Sequence, residues 1–169
     1  MAFLTIEEIK TLLAECGNSR SKDLTTIMKI CLATGARWSE AEGLKGNQIR
    51  AGQFIYVKTK GKKNREVPIT KKLQADLPAC RKAQVLFKPC YLAFRKAMQR
   101  AGIETPAGQF LHVLRHTFAS HFMTNGGNIL VLQRILRHTD IKVTMRYAHF
   151  APDHLSEAIL LNPLSKMES

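Results

Sequence analysis

From His112 to Tyr147 the chain reads HVLRHTFASHFMTNGGNILVLQRILRHTDIKVTMRY, and this stretch admits few folds. Helical spacing puts His112 and Arg115, three residues apart, on one face, where both can address a single anionic oxygen. Gly126 and Gly127 break the pattern, Leu130 to Leu136 resumes an apolar helical run, and His138 follows at its end. Asp140 is placed to cap a short helix carrying Tyr147. Two imidazoles, a guanidinium and a phenol drawn to one place suit phosphodiester chemistry with the phenol oxygen as nucleophile. A free tyrosine titrates near ~10, so about one in a thousand is ionised at pH 7 unless a base or cation assists it.

Upstream, Thr5 and Glu8 form a capping box ahead of Ile6, Ile9, Leu12 and Leu13, with Gly17 at the expected end of that helix. Ile27 to Ala33 is apolar on most sides and ends at Gly35, which predicts a helix central to the core. Arg37 follows, with Glu40 three residues on. Alone, this pair reads either as a structural ion pair or as a site arginine held by its carboxylate.

Gln53 to Thr59 alternates as a strand does, Arg65 to Ile69 can pair with it, and Lys60 to Asn64 supplies the turn. Lys58, Lys60, Lys62, Lys63 and Arg65 then crowd the hairpin tip. Such a tip is either a solvated edge that resists aggregation or a ribbon laid on a DNA backbone. Thr70 to Leu77 reads as a helix stopped by Pro78, and Tyr91 to Arg100 as another, with Leu92, Phe94 and Met98 as core candidates. Gly102 to Phe110 is a loop. Pro152 can open a last helix over Asp153 to Leu161, whose Ile159, Leu160 and Leu161 dock on the same core or on a neighbouring subunit.

The 169 residues suffice for one domain with a real core. Lys and Arg number 26 against 13 Asp and Glu, a net charge of +13 that favours a polyanionic partner. No apolar run approaches a membrane span and no signal peptide opens the chain, so a soluble, intracellular protein is expected. Cys16, Cys31, Cys80 and Cys90 form no Cys-x-x-Cys pair and read as reduced thiols. His112 and His116 have the spacing of a zinc-protease helix, but Val113 occupies the position of its glutamate. His121, His149 and His154 carry no signal in their spacing.

Four blocks stand in an order and spacing that resembles the catalytic domain of the tyrosine recombinases, the phage integrase family, and among them the integrases of temperate bacteriophages. They are TGARWSEAEGLK around Arg37, TKGKKNREVPI around Lys60, HVLRHTFASHF around Arg115 and LRHTDIKVTMRYAHF around Tyr147, and the likeness covers Leu24 to about Phe150. It implies a mainly α fold with a small antiparallel β-sheet, residues 1–169 forming one catalytic domain with a tail at 151–169. By this resemblance Arg37 and Arg115 clamp the scissile phosphate, with Glu40 steadying Arg37. Lys60 protonates the leaving 5′-oxygen, His112 assists proton transfer, and His138 hydrogen-bonds the phosphate. Tyr147 attacks phosphorus to leave a 3′-phosphotyrosine. Lys62, Lys63 and Arg65 would contact DNA, with no metal or other cofactor required.

The implied activity is site-specific recombination for phage integration and excision in the bacterial cytoplasm, at the nucleoid. Its implied setting is a tetramer on double-stranded attachment-site DNA, with C-terminal tails exchanged between protomers and host DNA-bending proteins as further partners. DNA relaxation of the type IB topoisomerase kind, or a non-catalytic DNA-binding module, are the alternatives. Trp38 and Arg137 depart from the commoner family pattern, where a smaller aliphatic residue and a glycine are frequent, and Arg137 is expected to add a backbone contact. Family integrases usually carry DNA-binding domains ahead of the catalytic one, and their absence from this chain suggests a separately expressed catalytic fragment.

Overall fold

The computed structural model describes residues 2–56, 64–79, 82–153 and 157–166. Lys60, Lys62 and Lys63, the strand end at 57–59, Cys80, His154 and the start of the last expected helix lie outside the described residues. The architecture is helical with one small sheet.

Helix α1 (Ile6–Gly17) opens on the expected reciprocal cap: the Thr5 hydroxyl accepts the Glu8 N–H at 3.2 Å, and the Glu8 carboxylate accepts the Thr5 N–H at 2.7 Å. The helix runs through Gly17, and Asn18 rather than the glycine is its C-cap. Helix α2 (Leu24–Thr34) is the core axis, with Leu24, Ile27, Met28, Ile30, Cys31 and Thr34 all buried. Full burial of a leucine or isoleucine contributes about 1.5–3 kcal/mol. Gly35 ends α2 at φ +63°, a left-handed turn that glycine adopts without strain. A Cβ there would lie 2.5 Å from the Phe118 ring and 2.8 Å from a Leu136 methyl, so α2 comes this close to its neighbours only because residue 35 has no side chain.

Helix α3 (Trp38–Glu42) follows at once, and its Trp38 ring stacks on Phe94 at 4.4 Å between centroids. Strands β1 (Ile49–Arg50), β2 (Gln53–Tyr56) and β3 (Arg65–Pro68) form an antiparallel sheet in the order β1-β2-β3. Tyr56 stands opposite Arg65 and Phe54 opposite Val67. Helix α4 (Lys71–Ala75), capped by the Thr70 hydroxyl, is shorter than the expected Thr70 to Leu77. Helix α5 (Tyr91–Arg100) buries Phe94, Ala97 and Met98. Leu92, a core candidate by sequence, is 68% exposed because the buried stripe runs through positions 94, 97 and 98 and leaves 92 on the other side.

Helices α6 (Val113–Thr124), α7 (Ile129–Leu136) and α8 (Ile141–Met145) build the C-terminal half. Asn128 caps α7 and Asp140 caps α8 through side-chain oxygens. Tyr147 is not on α8: it lies just beyond the helix, leading into a 3₁₀ turn at Ala148–Phe150. Ala119, Met123, Leu132, Leu136 and Tyr147 make a second apolar cluster beside the main core. The last helix, α9 (Glu157–Leu161), leaves Leu161 76% exposed. Cys16, Cys31 and Cys90 are buried, unbridged thiols. Among the described residues no helix is long and apolar enough to cross a membrane.

Candidate active site

Arg115 is the anchor of the site, and the backbone holds it. Its Nη1 donates to the Gly35 carbonyl at 2.7 Å, Nη2 donates to the Leu136 carbonyl, and only 5% of the residue is exposed. The ends of α2 and α7 thus aim one side chain of α6. A guanidinium carries five N–H donors, so donors remain for a ligand after those two carbonyls are served. Burial first, and then the positive charge of Arg37 and Arg65, lowers its pKa to about 10, so it stays cationic at neutral pH.

His138 follows α7, its Nε2 3.5 Å from Arg115 Nη2 and its Nδ1 2.9 Å from the Thr144 hydroxyl on α8. The Gln133 side-chain amide donates to the His138 carbonyl at 3.1 Å. The ring is therefore fixed from two helices. Burial, with Arg115 and Arg37 nearby, pushes its pKa down to about 4, so it stands neutral at pH 7.

Arg37 sits at the N-terminus of α3, where the Glu40 carboxylate accepts its backbone N–H at 2.8 Å and faces its guanidinium at 3.4 Å. Its side chain is about half exposed. Behind it lies Arg65, expected by sequence at the exposed tip as a DNA contact. The structure corrects that placement: Arg65 is 4% exposed, with its guanidinium over the Tyr56 ring at 4.1 Å and 3.5 Å from Glu40. Alternation in β3 turns Arg65 and Val67 inward together. No side-chain nitrogen of Arg65 makes a hydrogen bond among the described residues, so Glu40 is the compensating charge for two arginines.

Tyr147 is 2% exposed, and its hydroxyl lies 2.7 Å from His116 Nδ1. Burial raises the phenol pKa, and the nearby Arg115 and Arg146 oppose that rise. His116 is the residue that sequence reasoning missed as a site group. Its place one helical turn after His112 and next to Arg115 was the available signal, but the same spacing also fits a zinc pair. Burial, followed by the charges of His112, Arg146 and Arg115, lowers the His116 pKa to about 4. His112 is exposed at the mouth of α6, its ring centroid 6.1 Å from that of His116. Arg115, His138, Tyr147 and His116 thus form one cluster, with Arg37 and Glu40 at its edge. The four hairpin lysines, Lys58, Lys60, Lys62 and Lys63, fall outside the described residues.

A helical domain with a buried arginine and tyrosine and half-buried histidines gathered at the ends of α2, α7 and α8 defines a class, and comparison gives the family. Residues 2–154 match the model of the phage integrase family, and the chain belongs to that family. It is 62% identical over 164 residues to the integrase of Escherichia phage 186, covering 97% of this chain and 48% of that protein. The solved catalytic domain of bacteriophage HP1 integrase is 57% identical and superposes with a TM-score of 0.92, covering 98% of this chain and 97% of that domain. A XerH recombinase in a pre-cleavage complex with its difH substrate, 23% identical, shares the fold at a TM-score of 0.73 over 95% of this chain and 54% of that one. The chain spans about half the length of the curated integrases it matches.

Proposed function

We propose that this chain cleaves and rejoins DNA strands in site-specific recombination, the integration and excision of a phage genome, through a 3′-phosphotyrosine intermediate. The observation that carries this reading is the Tyr147 hydroxyl held in one cluster with Arg115 and His138, with Arg37 on the rim. Arg115 and Arg37 bind the non-bridging oxygens of the scissile phosphate and stabilise the added charge of the five-coordinate transition state. His138, kept neutral and oriented by Thr144, donates a hydrogen bond to the same phosphate. As Tyr147 Oη bonds to phosphorus, the bond to the 5′-oxygen breaks, and Lys60 gives that oxygen its proton. A 5′-hydroxyl from a second duplex reverses the step. The bond energy stays in the phosphotyrosine, so rejoining needs no nucleotide.

Double-stranded DNA as substrate is supported by the net charge of +13 and by membership of the phage integrase family. A DNA-bound tetramer in the bacterial cytoplasm, aided by host DNA-bending proteins, is the assembly in which we place it. The exposed Leu161 and Leu164 make the segment 151–169 suited to exchange between protomers. Tyr147→Phe tests the reading: it should form no covalent adduct on a nicked duplex in a denaturing gel while retaining salt-sensitive DNA binding. An adduct surviving that substitution would refute the nucleophile.

A further inference from the structure

We infer that His116 takes the proton of the Tyr147 hydroxyl during attack and that His112 passes it on to solvent. This rests on the recombinase reading and changes one assignment within it. The family resemblance gives proton transfer to His112, but His112 is exposed and makes no hydrogen bond to the phenol, whereas His116 Nδ1 lies 2.7 Å from Tyr147 Oη. That is the only hydrogen bond of the hydroxyl among the described residues. With the imidazole proton on Nε2, Nδ1 is the acceptor and the phenol the donor, the arrangement a base requires.

The resting ring is a weak base, because burial and the charges of His112, Arg115 and Arg146 disfavour its protonation. A phosphate entering the arginine clamp brings negative charge beside those cations and removes much of that penalty. The base strengthens when substrate is bound, and an empty site leaves its tyrosine protonated and unreactive. In the step itself the Oη–H bond breaks and Nδ1 gains the proton as Oη–P forms. The P–O5′ bond breaks, and Lys60 protonates the departing oxygen. His116 ends as imidazolium, and its neighbour one turn toward solvent, at 6.1 Å between centroids, is the route by which it discharges.

A purely structural His116 would also hold the tyrosine, so the test needs readouts that packing does not move. His116→Asn keeps an acceptor oxygen near the position of Nδ1 but cannot carry the proton. Single-turnover adduct formation is followed on a duplex nicked beside the cleavage position mapped with the unaltered chain. We expect His116→Asn to be slower by roughly 10²-fold or more, with a rate that climbs steadily with pH, and with duplex binding unchanged. A sulfur in place of the bridging 5′-oxygen leaves without protonation, so it should rescue Lys60→Ala and not His116→Asn. Added imidazole should restore part of the rate of His116→Ala, a second variant that stands should the first not fold. Near-normal cleavage by His116→Asn with the parental pH profile, or its rescue by sulfur, overturns the assignment. If the unaltered chain forms no adduct on any duplex, the recombinase reading itself falls.

Discussion

Arg115 shows how one residue can serve both the fold and the chemistry. On the proposed mechanism, Arg115→Ala takes away one phosphate ligand and should slow adduct formation by about 10²-fold or more. It also strips partners from the Gly35 and Leu136 carbonyls, at roughly 1–3 kcal/mol for each buried group left unsatisfied, which urea unfolding will read. Arg137 poses the opposite balance. It holds φ +53° at the end of α7, a conformation costing a side-chain-bearing residue roughly 1 kcal/mol, and it lines a cavity of about 200 Å³ with Arg37, Ser39 and Gln48. Arg137→Gly should raise the thermal midpoint, yet weaken duplex binding and lower its salt-dependence slope by about one if the guanidinium meets a backbone phosphate. A variant that is more stable and binds as before would remove Arg137 from the DNA surface.

Among the elements, the end of α2 is the tightest joint. Gly35→Ala must force a methyl against Phe118 and Leu136 in a left-handed backbone, and should cost roughly 2–4 kcal/mol in urea unfolding while slowing adduct formation through the displaced carbonyl. The helix itself was legible, since its apolar run and terminal glycine appear in the sequence, as did the caps at Thr5 and Asp140. Contacts between elements were not. Arg65 sits among lysines in the sequence and reads as part of a charged tip, although its two-residue offset from Val67 already put it on the inward face of β3. His116 was hidden differently: its partner is 31 residues away and lies past the end of α8, where local periodicity has no say. Arg37 and Glu40 could be paired from spacing alone, but the second arginine on that carboxylate became visible only with the sheet register.

Across the whole molecule, two half-buried imidazoles tie stability to acidity. His116 and His138 are both depressed to about 4 when folded, against an ordinary value near ~6.5. The unfolded chain therefore binds protons more readily between those limits. Their stabilising contribution is complete above about pH 6.5 and is lost as pH falls toward about 4. The thermal midpoint should drop on acidification through that window, and the double substitution His116→Asn with His138→Asn should flatten the dependence. An equally steep fall in the double variant would assign acid sensitivity to other groups.

The tie between Arg115 and the carbonyls of Gly35 and Leu136 has a consequence for the nascent protein. One oxygen comes from the first third of the chain and the other from the last quarter, so the cationic clamp is completed only when both have arrived and docked. On the recombinase reading this is a safeguard: an unfinished or misfolded copy has no properly aimed guanidinium to hold a phosphate for attack.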